Sequence, residues 1–311
     1  MQRMSIWLTV LLVLLLTACG GAASEPMTDP TGQEAPLAPA DETDTDPAAK
    51  LNVVATTGHI ADTVANIGGD AIEVINLLGP GIDPHTYVPT EGDIRRLETA
   101  DVIFYNGVRL EVQMEDVLEQ LAQRDGMTVV AVGDELDGAW LLEWEPEEGL
   151  PYDPHIWNDV TLWMEVVEVM RDTLIAVDPA NTATYTANTE AYLAEMEELH
   201  AYILAQAATI PAERRVLVTA HDAFSYFGQA YDFQVEAVQG ISTDAEASAA
   251  DIQELADVVV EKQVPAIFIE TIVSPRSMQA LQEAIQAGGL PEIAIGGEIL
   301  FRCSGRTRER C

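Results

Sequence analysis

Apolar and polar positions along the chain alternate between two periods. Residues 51–57 (Leu-Asn-Val-Val-Ala-Thr-Thr) form a short apolar run ending in threonine, the pattern of a buried strand. Residues 60–67 then carry apolar side chains at helical spacing until Gly68-Gly69-Asp70 stops them. The same reading predicts strands over 71–78, 101–105 and 128–132, and helices over 91–99 and 112–123. Such alternation implies a parallel sheet with helices on its faces. After Asp159 the pattern lengthens, with a helix over 160–176, a break at Asp178-Pro179-Ala180-Asn181 and a helical stretch over 182–208 without Gly or Pro. That stretch would be about 40 Å long, enough to run from one lobe to another. Strands over 216–219, 234–238 and 266–270 and helices over 223–231, 249–262 and 277–286 follow. The predicted fold class is α/β: two lobes with parallel sheets flanked by helices, joined by one long rigid helix. The lobes are assigned to 51–177 and 211–311, and the linking helix to 178–210.

The first residues have a different character. Arg3 precedes an apolar run over 6–16, followed by Leu16-Thr17-Ala18-Cys19. A charged start, a short apolar core and small residues at the end describe a secretory signal too short to span a bilayer stably. The ending resembles the bacterial lipobox, in which the cysteine, here Cys19, becomes the lipid-bearing first mature residue. Residues 20–50, rich in Ala, Pro, Thr, Asp and Glu, offer little to bury and read as a disordered acidic tether. The expectation is an extracytoplasmic protein, lipid-anchored to the bacterial cell membrane. The net charge of −37 argues against nucleic acid or anionic lipid as partners. Most of that charge reads as solubility or adaptation to salt.

Candidate chemistry lies in the histidines, of which there are five. His85 sits in Asp83-Pro84-His85-Thr86-Tyr87, between a strand and a helix, and His155 in Asp153-Pro154-His155-Ile156-Trp157, entering a helix. Proline fixes its own φ and extends the residue before it, so each imidazole is presented from a stiff loop. His221 follows the strand over 216–219, in Ala220-His221-Asp222-Ala223-Phe224. In open α/β sheets, loops at the carboxyl ends of strands form the binding crevice. Three imidazoles converging from separate loops make a nitrogen-rich site suited to zinc. Asp83, Asp153 and Asp222 stand beside them as candidates to orient a ring. His59, opening the first helix, is a weaker candidate ligand, and His200, within the long helix, reads as solvated.

These motifs occur in order with Gln239-Gly240-Ile241-Ser242-Thr243 and Glu270-Thr271-Ile272-Val273-Ser274-Pro275-Arg276. Over about residues 51–300 the chain resembles the zinc/manganese solute-binding lipoproteins of ABC importers, the TroA-like or periplasmic zinc-binding family. The resemblance implies a metal site in the interlobe cleft, with Zn2+ or Mn2+ as bound cargo. It places the ligands on His85, His155 and His221 and makes Glu270 a structural carboxylate. It implies delivery to an ABC importer membrane permease by a monomer that is not an enzyme. Members with Glu at the third ligand more often carry manganese, so His221 tilts the reading toward zinc. The segment 133–153 is acidic but lacks the histidines that zinc-dedicated members often carry there, which pulls the other way. The linking helix implies only small lobe closure, with release assisted by the membrane partner.

The ending departs from the family, which continues past Gly296-Gly297-Glu298 with an acidic loop bearing a fourth ligand and a closing helix. Here the last ten positions hold four of the 15 basic residues and two of the three cysteines, Cys303 and Cys311. The expectation is a truncated or frameshifted end after about 298 and no fourth ligand. A zinc-dependent hydrolase with a three-His site is the alternative in chemistry. It lacks H-E-x-x-H, G-x-S-x-G and an obvious general base at motif spacing. A lipid-anchored adhesin is a third reading.

Overall fold

The protein is described from a computed structural model covering residues 50–144 and 151–299. The expected signal segment, Cys19, nearly all of the expected tether and the basic ending from residue 300 lie outside the described residues. Strand β1 (Leu51–Ala55) is central to the first sheet, and its Val53, Val54 and Ala55 are fully buried. Burial on both faces is what a parallel sheet requires. It pairs in parallel with β2 (Ile72–Asn76) and β3 (Val102–Tyr105), and β3 pairs with β4 (Thr128–Ala131), giving the order β2-β1-β3-β4. The two-residue strand period divides the side chains between two cores. Val53, Ala55, Val102 and Phe104 pack with α1 (Gly58–Gly68) and α4 (Val160–Val177). Val54 and Ile103 pack on the opposite face with α2 (Glu91–Glu98) and α3 (Glu115–Ala122).

Helix α5 (Thr182–Ala207) has 26 residues. It is no free-standing strut. Tyr185 and Met196 pack into the core shared with α1 and α4, and Ala207 belongs to the same core as Tyr226 and Tyr231 of α6 (Ser225–Tyr231). The second lobe holds β5 (Val216–His221) paired with β6 (Gln234–Gln239), and β7 (Ala266–Glu270) paired with β8 (Ala294–Ile299), all in parallel. Strands β5 and β7 lie alongside each other. The two pairs thus stand in the spatial order β6-β5-β7-β8, as two two-stranded sheets instead of one hydrogen-bonded ladder. Helices α7 (Ala249–Lys262) and α8 (Pro275–Ala287) cover one face through Leu255, Val259, Leu281 and Ile285.

Strand β8 is an element the sequence pattern did not predict, and Gly296-Gly297 explains why. The register with β7 shifts between Ile267 and Ile269, a bulge that breaks the two-residue period. A side chain at 296 would put its Cβ 2.5 Å from Phe268, and Gly297 takes φ 128°. Among the described residues no helix is long and apolar enough to cross a membrane.

Candidate metal centre

The two Asp-Pro-His segments fold alike. Asp83 Oδ1 accepts the backbone N–H of His85 at 3.0 Å, and Asp153 Oδ1 accepts that of His155 at 2.9 Å. Each aspartate thus closes a turn around its proline and aims the histidine. The first turn is tied to α2 by a capping box in which Thr90 and Asp93 exchange hydrogen bonds. Tyr87 also donates to Asp93, at 2.5 Å. The second turn is held by Asn106, just past β3, whose side chain donates to the Pro154 carbonyl at 3.0 Å. Asn106 is fixed in turn by Glu111. Buried Glu111 accepts from Thr56 Oγ1 at 2.7 Å, Asn106 N–H at 2.9 Å and Gly107 N–H at 3.3 Å. Burial pushes the Glu111 carboxyl up to about 7, against the pull of these hydrogen bonds.

His221 is the last residue of β5. Its N–H and that of Ala220 both donate to Glu270 Oε1, at 3.0 and 2.8 Å. Glu270 Oε2 lies 2.6 Å from His221 Nδ1. Glu270 ends β7, so the pair sits where the strand order reverses, the usual ligand crevice of such sheets.

The structure brings His85, His155 and His221 together. One ligand atom from each lies within 4.8 Å of the others, and the ring centroids are 5.1 to 5.9 Å apart. The residues are 3%, 1% and 0% exposed. Nε2 of His85 and Nε2 of His155 face each other at 3.2 Å. Two nitrogens bound tetrahedrally to one zinc at about 2.0–2.1 Å would stand about 3.3–3.4 Å apart. Behind the second ring, Asp153 Oδ1 is 2.7 Å from His155 Nδ1. With Nδ1–H donating to that carboxylate, the Nε2 lone pair is left for an ion. Burial, then the neighbouring His155, pushes His85 down to about 3, and burial holds His155 well below the usual imidazole range. Neutral imidazole is the ligating form.

The other candidates sort by geometry. Asp83 orients its histidine through the backbone, Asp153 through both backbone and ring, and Asp222 accepts from Ser225 Oγ at 3.0 Å. His59 stands outside the cluster, stacked on Trp157 at 4.8 Å. Trp157 in turn lies edge-on to His155 at 5.2 Å. His200 is half-buried, and its Nδ1 lies 3.1 Å from Tyr231 Oη, which corrects the expectation of a solvated residue. Asn106 and Glu111 escaped the sequence reading. Their only signal was a polar residue at a strand end and a glutamate within Val-Arg-Leu-Glu-Val.

Residues 53–299 match the family described as zinc-uptake complex component A, periplasmic. The chain is 44% identical over 253 residues to the zinc-binding protein TroA of Treponema pallidum, covering 81% of this chain and 80% of that protein. It is 38% identical over 256 residues to the manganese-binding lipoprotein MntA of Bacillus subtilis, covering 82% of each. The solved structure of the periplasmic zinc-binding protein TroA from Treponema pallidum superposes with a TM-score of 0.78 at 42% identity, covering 84% of this chain and 92% of that one. With this match running through both lobes and all three clustered histidines, the chain belongs to the family of periplasmic zinc-uptake component A proteins.

Proposed function

We propose that this protein is the extracytoplasmic metal-binding subunit of an ABC importer, which captures Zn2+ or Mn2+ with His85, His155 and His221 and delivers it to the membrane permease. The observation that carries this reading is the 3.2 Å approach of two buried imidazole nitrogens, a spacing that suits one shared ion. The three rings are almost completely buried, so an ester or peptide could not reach them without a large opening, which favours a carrier over a hydrolase. Imidazole donors suit zinc, whereas manganese prefers carboxylate and water oxygens, so zinc is the better match for these three side chains. The names of the relatives support both metals as cargo. In this reading Cys19 carries the lipid, residues 20–50 tether a monomer to the membrane, and the protein turns over no substrate.

Native mass spectrometry with elemental analysis, on protein purified from its own envelope, tests the reading. One equivalent of zinc or manganese is expected on the wild type and none on His85→Ala/His155→Ala/His221→Ala. Unchanged metal content in the triple variant would overturn it.

A further inference from the structure

The two lobes meet around the site along two edges of different character. On the edge next to His155, Tyr226 is 1% exposed. Its hydroxyl donates to the Asp153 carbonyl at 2.9 Å and accepts from Leu142 N–H at 3.0 Å. Asn158 reinforces this edge by donating to the Ala223 carbonyl at 2.6 Å. The edge is also backed by α5, whose His200 meets Tyr231. These contacts lie in or beside the common core, and breaking them would strand buried polar groups.

On the edge next to His85 the contact lies between two surface loops. The loop from β2 to α2 is largely exposed, with Ile82 42% and Val88 66% accessible, yet it carries buried His85. The loop from β6 to α7 is likewise exposed from Asp244 to Glu246. Thr243 of the second loop donates its hydroxyl to Asp83 Oδ2, which also accepts from Thr86 Oγ1 at 3.2 Å. The other oxygen of the same carboxylate holds the backbone N–H of His85. One side chain therefore joins His85 in the first lobe to a surface loop of the second.

We infer that the Asp83–Thr243 hydrogen bond is the latch of the metal site, and that metal leaves through the seam between these two loops. This rests on the functional reading above. While the bond is made, Asp83 fixes the His85 backbone and the seam stays shut. When Thr243 lets go, the loop swings with Asp83 and takes His85 out of the cluster, while the Tyr226 edge stays closed. Asp83 and Thr243 are thus positioning residues, since neither is required to touch the ion. A hydrogen bond to a charged acceptor is strong enough for its loss to change a rate by about tenfold or more.

The test is the release rate of Zn2+ from the loaded full-length protein into excess chromogenic chelator. Thr243→Val should release Zn2+ about tenfold faster. Thr243→Ser, which keeps the hydroxyl, should stay near wild type. Asp83→Ala should be fast, and adding Thr243→Val to it should cause little further change, because each acts through the other. The melting temperature of metal-free Thr243→Val should fall by no more than about 5 °C, the loss of one such hydrogen bond, which separates a latch from a general structural defect. Equal release rates in wild type and Thr243→Val would overturn the latch alone, as would independent effects of the two substitutions. Failure of the wild type to take up Zn2+ would overturn the functional reading and the latch with it.

Discussion

An imidazole has two ring nitrogens, and whichever one a neighbour engages decides what the other can bind. Asp153 engages Nδ1 of His155 at 2.7 Å, and Glu270 lies 2.6 Å from Nδ1 of His221. Asp153 thus fixes the orientation of the His155 ring and raises its basicity toward an ion, while Glu270 also holds His221 through its backbone N–H. Asp153→Asn and Glu270→Gln should each weaken Zn2+ binding by about 10–100-fold while circular dichroism stays unchanged. Titration calorimetry with competing chelator measures this, and unaltered affinity would remove both residues from the site. Glu111 makes a different residue-level prediction. Its carboxyl is raised from 4.5 to about 7 in the fold, chiefly by burial. Folding therefore disfavours the ionised form. The stability linked to this group is full below about pH 4.5 and is lost as pH rises through about 7. In urea titrations of the metal-free protein, Glu111→Gln should gain on wild type by on the order of 3 kcal/mol between pH 5 and pH 8. A difference that does not change with pH would contradict it.

Helix α2 starts six residues after His85, so its first turn anchors the loop that carries that histidine. Burial pushes Asp93 up, but hydrogen bonds from Thr90 and Tyr87 and the charge of Arg96 outweigh it and hold the carboxyl at about 2. The sign is opposite to that of Glu111. The contribution of Asp93 is present above about pH 4 and is lost as pH falls through about 2. Thr90→Ala should cost about 1 kcal/mol of unfolding free energy. Asp93→Asn should flatten the acid limb of the stability curve below pH 4, as followed by circular dichroism. Elements of this kind were legible in the sequence where periodicity and punctuation agreed. The three histidines were legible because Asp-Pro-His twice announces its own turn and His221 ends a run of apolar strand residues. Strand β8 was not, because Gly296-Gly297 accommodates a bulge against Phe268 that no local pattern encodes. Glu111 and Asn106 were missed because their partners Thr56 and Pro154 lie 55 and 48 residues away.

The whole molecule carries a net charge of −37, which draws divalent cations toward it without choosing among them. Under the proposed function, selection falls to the three imidazoles, and release falls to whatever motion the fold permits. That motion is limited by α5. Its 26 residues make a rod about 39 Å long. The rod lies along α1 and α4 of the first lobe and shares its core with Tyr226 and Tyr231 of the second. A hinge between the lobes would have to bend this helix or peel it from that core. Tyr226 adds a second restraint, since its hydroxyl ties two backbone groups of the first lobe to α6. Rigid-body closure is therefore expensive, and opening at one seam is cheap by comparison. Small-angle scattering of metal-free and Zn2+-loaded protein should give radii of gyration within about 1 Å of each other. Tyr226→Phe removes the hydroxyl from the closed edge and should widen that difference. A change of several ångströms in the wild type would mean that α5 bends or slides, and the fold would then work as a hinge instead of a rigid frame with one movable loop.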